Sequence, residues 1–219
     1  MEEGKRLLSG FQDFLPEKML ARNALIRSIE GCYERFGFLP QDTPCLEYAD
    51  LLLGKYGENE KLIYDFLDKG GRHVALRFDL TVPLSRIIQA YGNVIDFPYR
   101  RYQVGMVWRA DRPGKGRYRE FMQIDADIVG DDSLLCDTEM ILLTLNIMDN
   151  LKVRAVVRIN CREILNSLVE TCGFDSMNGV NLLRVVDKFD KIGPNRVKEE
   201  LKNLGFSPDV ITKVEKYLS

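Results

Sequence analysis

The sequence offers no paired cysteines and almost no histidine. Its five cysteines, Cys32, Cys45, Cys136, Cys161 and Cys172, are scattered, odd in number and never spaced C-x-x-C, and His73 is the only histidine. They read neither as a zinc site nor as a disulfide framework, which points to a reducing cytosol. No apolar run approaches the length of a membrane span, and MEEGKRLLSGF lacks the apolar stretch of a signal peptide. These absences predict a cytoplasmic protein with no membrane partner. Excess charge is scarce too: a net −2 excludes a global polyanion binder. Nucleic-acid contact therefore has to come from a local patch. Residues 97–119 offer one, with six Arg and one Lys against a single Asp, Asp111.

What is present is enough apolar residue, 45%, to build a core across 219 residues in one large domain or a domain with a small appendage. Residues 16–36 open with Pro16, carry apolar residues near helical spacing and stop at Gly37, so they predict a helix. FLPQDTPCLEY (38–48) holds two prolines and predicts extended chain, with a short helix over 48–55. Three segments then alternate with period 2: 73–82, 101–109 and 117–129. Their even positions are mainly apolar (Val74, Leu76, Tyr102, Val104, Ile124, Ile128) and their odd positions mainly polar, so each predicts a strand with one polar face. The second and third strands are joined by the Pro- and Gly-bearing loop ADRPGKG. Helical pattern returns at 133–150, a strand is predicted at 153–160, and helices at 161–173, 194–204 and 208–218. The fold class expected is α+β, an antiparallel sheet flanked by helices. A boundary is expected in GFDSMNGVN, giving a core over 1–173 and a helical segment over 174–219.

The polar faces carry Arg77, Arg109, Arg117 and Arg119 together with Asp79, Asp125 and Asp127, a dense mixture of both signs. Gln103, Gly105, Phe121 and Gln123 lie among them, offering amide recognition, a flat aromatic platform and room for a ligand. Arginine chelates phosphate oxygens with its planar fork, and a Gly-rich turn lets backbone approach them. The chemistry that fits is a ligand with both a phosphate and an ammonium. His73 is placed along the strand roughly 20 Å from Asp79, too far to share in it. Asp131 and Asp132 read as a turn and helix start rather than a metal site, and Trp108 and Met106 as core. Arg100, Arg101 and Lys115 are either solvated or nucleic-acid contacts on this reading.

YRRYQVGMVWRADRPGKGRYREFMQIDADIVG (99–130) resembles motif 2 of the class II aminoacyl-tRNA synthetases, specifically the histidyl-tRNA synthetases. GFQDFLP (10–16) precedes it, FGFLPQDTPCLE (36–47) resembles motif 1, LRFDLTVP (76–83) the histidine-binding strand, and VDKFDKIG (186–193) the opening of a helical insertion. The resemblance implies that Asp79, Thr81, Arg109, Gln123 and Asp127 hold histidine, with Asp79 on its ammonium. It implies that Arg109, Asp111, Arg117 and Phe121 hold ATP, which enters as the magnesium complex, with Arg109 the catalytic residue at the α-phosphate. No metal ligands of the protein's own and no tightly bound cofactor are implied. tRNA(His) is the implied second substrate, and a homodimer through the motif 1 region around Pro44 the implied assembly.

The family's motif 3, its later histidine-specificity segment and its anticodon-binding domain have no counterpart here, which implies a partial catalytic core with little activity alone. Two rivals remain. One is a histidine-binding regulatory paralogue, like the regulatory subunit of ATP phosphoribosyltransferase, although such a protein has no chemical reason to keep DRPGKGRYREF. The other is a nucleic-acid-binding module using the 97–119 patch.

Overall fold

The computed structural model describes residues 6–54, 57–159, 161–173 and 179–218. They divide into two units, Met1–Val156 and Val157–Ser219, each with its own core. In the first, α1 (Pro16–Arg35) has proline at its N-terminal turn, where no N–H is needed, and ends ahead of Gly37 at φ 78°. There follow β1 (Leu39–Pro40), β2 (Leu46–Tyr48), α2 (Ala49–Leu52), a 3-10 turn (Gly57–Leu62), β3 (Asp65–Leu67) and β4 (His73–Leu76). Next come α3 (Thr81–Tyr91), β5 (Tyr99–Trp108), β6 (Glu120–Val129) and α4 (Leu134–Asn150).

The strands make two small sheets, β1-β5-β6 and β2-β4-β3. All pairs are antiparallel except β1 with β5. The fold class is α+β, as the consecutive hairpin strands predict. The β5–β6 ladder runs unbroken from Tyr99↔Val129 to Trp108↔Glu120, so even residues face even and odd face odd. The even face is core: Tyr102, Val104, Ile124, Ala126 and Ile128 pack with Cys32 and Tyr33 of α1 and Leu143 and Ile147 of α4.

Alternation misleads over 73–82. The strand stops at Leu76, and Thr81 already begins α3. The cause is local: Asp79 Oδ1 accepts the N–H groups of Thr81 (3.0 Å) and Val82 (3.1 Å), and Pro83 fits the first helical turn. Phe78 and Leu80 are nonetheless buried, because the turn itself packs inward, and this mimics a strand pattern. The β2 carboxylate Glu47 is buried and accepts both Nε and Nη2 of Arg86, tying α3 to the second sheet.

The strand predicted at 153–160 also fails to form. Residues 153–159 have no ladder partner among the described residues and Val156 is 88% exposed, while residue 160 lies outside them. A β-prone stretch becomes a strand only when a neighbour takes its backbone polar groups.

The second unit comprises α5 (Arg162–Thr171), α6 (Gly179–Val186), α7 (Phe189–Asn203) and α8 (Pro208–Leu218). Leu168, Val169 and Cys172 from the α5 end pack with Leu182, Leu201, Val210 and Val214. That shared apolar face assigns 161–173 to the helical unit, so the units divide near 156 rather than at 173. Part of the expected boundary, residues 174–178, lies outside the described residues. Gly193, at φ 75°, interrupts α7 one residue before Pro194, which is where the sequence predicts the helix to start. Among the described residues no helix is long and apolar enough to cross a membrane.

Candidate active site

The turn between β4 and α3 lies over the odd face of β5. Arg77 Nε donates to Met106 O (2.8 Å), Trp108 N donates to Arg77 O (3.1 Å), and Arg109 Nε donates to Phe78 O (3.1 Å). Gly105 allows this approach, since a Cβ there would stand 2.5 Å from Arg77 Nη2 and 3.2 Å from Leu80 Cδ2. The room that Gly105 seemed to leave for a ligand is thus taken by Arg77. Arg77 Nη1 also donates to the carbonyl and hydroxyl of Thr43, whose hydroxyl accepts Gln103 Nε2 as well. The polar face of β5 is therefore interior, with Arg101, Gln103 and Val107 all fully buried. β5 is the middle strand of its sheet and is covered; β6 is an edge strand, half-buried along its whole length.

This packing brings Asp79 beside Asp125 and Asp127 of β6. Asp127 pairs in register with Arg101, and Asp125 with Gln103. Arg101 Nη2 lies 2.6 Å from Asp127 Oδ2 and donates to Leu80 O at 3.2 Å. Burial pushes the Asp127 carboxyl upward, Arg101 pulls it back, and the nearby charge of Asp79 raises it again. Asp125 is raised in the same way, first by burial, with Asp127 and Asp79 adding to it against Arg101 and Arg109. Burial in turn pushes the Arg101 guanidinium down, opposed by these carboxylates.

The remaining sequence-predicted residues frame this cluster. Thr81 is exposed at the start of α3. Gln123 is half-buried on the same odd face, opposite Gly105, and its buried Oε1 has no protein donor among the described residues. The Arg109 guanidinium carbon stands 4.3 Å from the Phe78 ring centroid and 5.2 Å from that of Phe121, so two aromatic faces hold it. Beyond it the loop tightens into a turn, with Gly114 and Arg117 exchanging backbone hydrogen bonds and Gly116 at φ 74°. Arg117 is 69% exposed and stands 3.4 Å from the mostly covered Asp111 carboxylate. Arg119 is drawn inward to Asp111 O and Ser9 O. All eight predicted residues thus fall on the β5–β6 odd face, the turn over it, or the loop at its end. His73 pairs with Asp65 on the exposed β3–β4 sheet at 2.7 Å.

Two expectations change. The 97–119 patch is a smaller basic surface than the sequence implies: Arg100 pairs with Glu139, Arg101 with Asp127, Arg109 lies between rings, and Arg119 is bonded to backbone. Of its seven cations, Arg112, Lys115 and Arg117 remain exposed. Arg101, read as solvated or nucleic-acid-binding, is fully buried within the site. Its odd position on β5, on the polar side of the hairpin, was the available signal.

Comparison with known proteins gives the family. The family model described as histidyl-tRNA synthetase matches residues 10–214. The histidine–tRNA ligase of Helicobacter hepaticus is 44% identical over 219 residues, covering 98% of this chain and 49% of that protein. The crystal structure of histidyl-tRNA synthetase from a Nostoc species superposes with a TM-score of 0.87 at 32% identity, covering 99% of this chain and 49% of that one. A Bacillus halodurans structure, titled as an ATP phosphoribosyltransferase regulatory subunit/histidyl-tRNA synthetase, shares the fold with a TM-score of 0.83 at 20% identity. It covers 98% of this chain and 55% of that one. The chain spans about half the length of these relatives. With nearly the whole chain matched by the family model, the protein belongs to the histidyl-tRNA synthetase family.

Proposed function

We propose that Met1–Val156 binds histidine and Mg-ATP for a histidine–tRNA ligase, with tRNA(His) as acceptor. The observation that carries this is the β4–α3 turn, where the charge of Asp79 bears on Asp125 and Asp127 of β6 while the neighbouring Phe78 carbonyl accepts Arg109 Nε. Carboxylates suit the ammonium of an amino acid, and an arginine between two rings suits a phosphate carried by a flat base. Asp79 takes the histidine ammonium, with Thr81, Gln123 and Asp127 completing the cradle. Phe121 supports adenine, Asp111 reads its edge, and Arg117 reaches the outer phosphates. A histidine carboxylate oxygen attacks the α-phosphorus, the bond to the β-bridging oxygen breaks, and pyrophosphate leaves. The tRNA 3′-terminal hydroxyl then attacks the histidyl carbonyl, and AMP leaves. No enzyme nucleophile is required; catalysis is alignment and charge stabilisation, with Arg109 at the α-phosphate.

A homodimer through the motif 1 region is part of this reading. Leu46, Tyr48, Phe66 and Leu67 expose large apolar surface on the second sheet, and Pro44, Leu46 and Arg86 line a groove of about 390 Å³ there.

Calorimetry with histidine, Mg-ATP and tRNA tests the proposal. Binding of both small molecules is expected. Histidine without ATP would favour a regulatory paralogue. Binding of tRNA alone, falling steeply with salt, would favour a nucleic-acid module.

A further inference from the structure

We infer that Arg101 is a positioning residue of this site: its buried guanidinium joins Asp127 on β6 to the Leu80 carbonyl in the β4–α3 turn, holding the two halves of the cradle together. The inference rests on the histidine reading for what the cradle binds, and on geometry alone for what Arg101 does. The side chain is fully buried on the middle strand, so it is placed to act through its neighbours. One nitrogen, Nη2, donates to Leu80 O at 3.2 Å and lies 2.6 Å from Asp127 Oδ2, an ion pair by distance in which Oδ2 has no aligned hydrogen-bond donor among the described residues. Leu80 sits between Asp79 and Thr81 and is the cap position of α3. A single side chain thus spans a strand and a turn far apart in sequence, each carrying proposed histidine contacts.

The electrostatics give the same assignment. The groups whose charges bear on Asp127 or its partner are Arg101 and Tyr99 from β5, Asp125 from β6, Asp79 from the turn and Tyr33 from α1. Tyr33 is pushed up to about 12, first by burial and then by Asp125 and Asp127, so it stays neutral at ordinary pH. Among the described residues Arg101 is the cation that opposes the rise of the Asp127 carboxyl. Nor is the arginine arranged for stability alone. Its Nε and Nη1 are buried without a protein acceptor among the described residues, a costly arrangement where packing is the only aim.

Carboxyl-carbon NMR titration of the 219-residue chain, alongside Arg101→Met and Arg101→Lys, tests this without any ligand. The Asp127 midpoint is expected to rise by about one unit or more in Arg101→Met and by less in Arg101→Lys, which keeps the charge. If Arg101→Met does not fold, Arg101→Lys carries the test, since moving the charge away from the Nη2 position still raises the midpoint. An unchanged midpoint in a folded variant overturns the inference. Calorimetry gives a second readout: Arg101→Lys should weaken histidine about tenfold and Mg-ATP less than about twofold. Equal loss of both would mark the arginine as merely structural and would also overturn the inference. Should the unaltered chain bind no histidine, the functional reading falls, while the midpoint still decides whether Arg101 holds Asp127.

Discussion

The two units have opposite interiors. The helical unit buries Leu168, Val169, Leu182, Leu201, Val210 and Val214 among other apolar side chains. The buried polar and charged side chains among the described residues, Thr43, Glu47, Arg77, Arg101 and Gln103, all belong to the first unit. Polar groups in an interior cost free energy unless hydrogen-bonded, so a fold keeps them where position matters more than stability. In the first unit they join the segment around Thr43, β5 and the β4–α3 turn, the elements around the proposed site. The sharpest way to break this contrast is Arg77→Met. It strips donors from the carbonyls of Thr43 and Met106, and a destabilisation of about 4 kcal/mol is expected in urea unfolding. Histidine binding should be lost with it, because Arg77 seats the turn that carries Asp79.

Leu201→Ala makes the matching cut in the helical unit. Leu201 is fully buried, and its truncation should cost about 3 kcal/mol through lost transfer energy and a residual cavity. Histidine affinity in the folded protein should not change. If Leu201→Ala weakened histidine as much as Arg77→Met, the division between a polar unit that aims ligands and an apolar one that is merely stable would be lost.

The hairpin was the most legible part of the sequence. Alternation over 101–109 and 117–129 separated Tyr102, Val104 and Ile124 from Arg109, Gln123 and Asp127, and the ladder register keeps that separation. Alternation could not say which strand lies in the middle of the sheet. That depends on the parallel pairing of β1 with β5, across some sixty residues; nor could alternation show that the β4–α3 turn covers the odd face of β5, which is why Arg101 is buried rather than solvated. Nor could it tell a strand from a strand followed by a packed turn at 76–80, because apolar residues point inward in both. The site residues themselves came from the motif resemblance, and the same side chains on an unfamiliar hairpin would have read as a charged face.

Asp125 offers a smaller test of the polar interior. Burial, with Asp127 and Asp79, raises its carboxyl above the ordinary 3.8, so the folded state binds a proton more readily than the unfolded chain. Stability attributable to this group is therefore lost as pH rises from 3.8 through the raised midpoint. Asp125→Asn should then stabilise the protein at pH 7, with the gain fading as pH falls from the raised midpoint towards 3.8. Melting curves at several pH values measure it; a gain independent of pH would point to packing instead of charge.

The smallest effects compare one helix cap from each unit. Asp79 Oδ1 accepts two N–H groups at the start of α3, at 3.0 and 3.1 Å, whereas Ser207 Oγ accepts only Val210 N, at 3.4 Å, at the start of α8. Ser207→Ala should cost about 0.5 kcal/mol and leave ligands alone, since the bond it removes is long. Asp79 has two tasks, and they can be separated. Asp79→Asn keeps a side-chain oxygen for the cap while removing the charge, so stability should hold within about 0.5 kcal/mol while histidine affinity falls roughly a hundredfold. Asp79→Ala should lose both, with about 1 kcal/mol of stability going with the cap. If Asp79→Asn bound histidine normally, the carboxylate would be a cap and nothing more, no different in kind from Ser207, and the ammonium would have to find its counter-charge at Asp125 or Asp127.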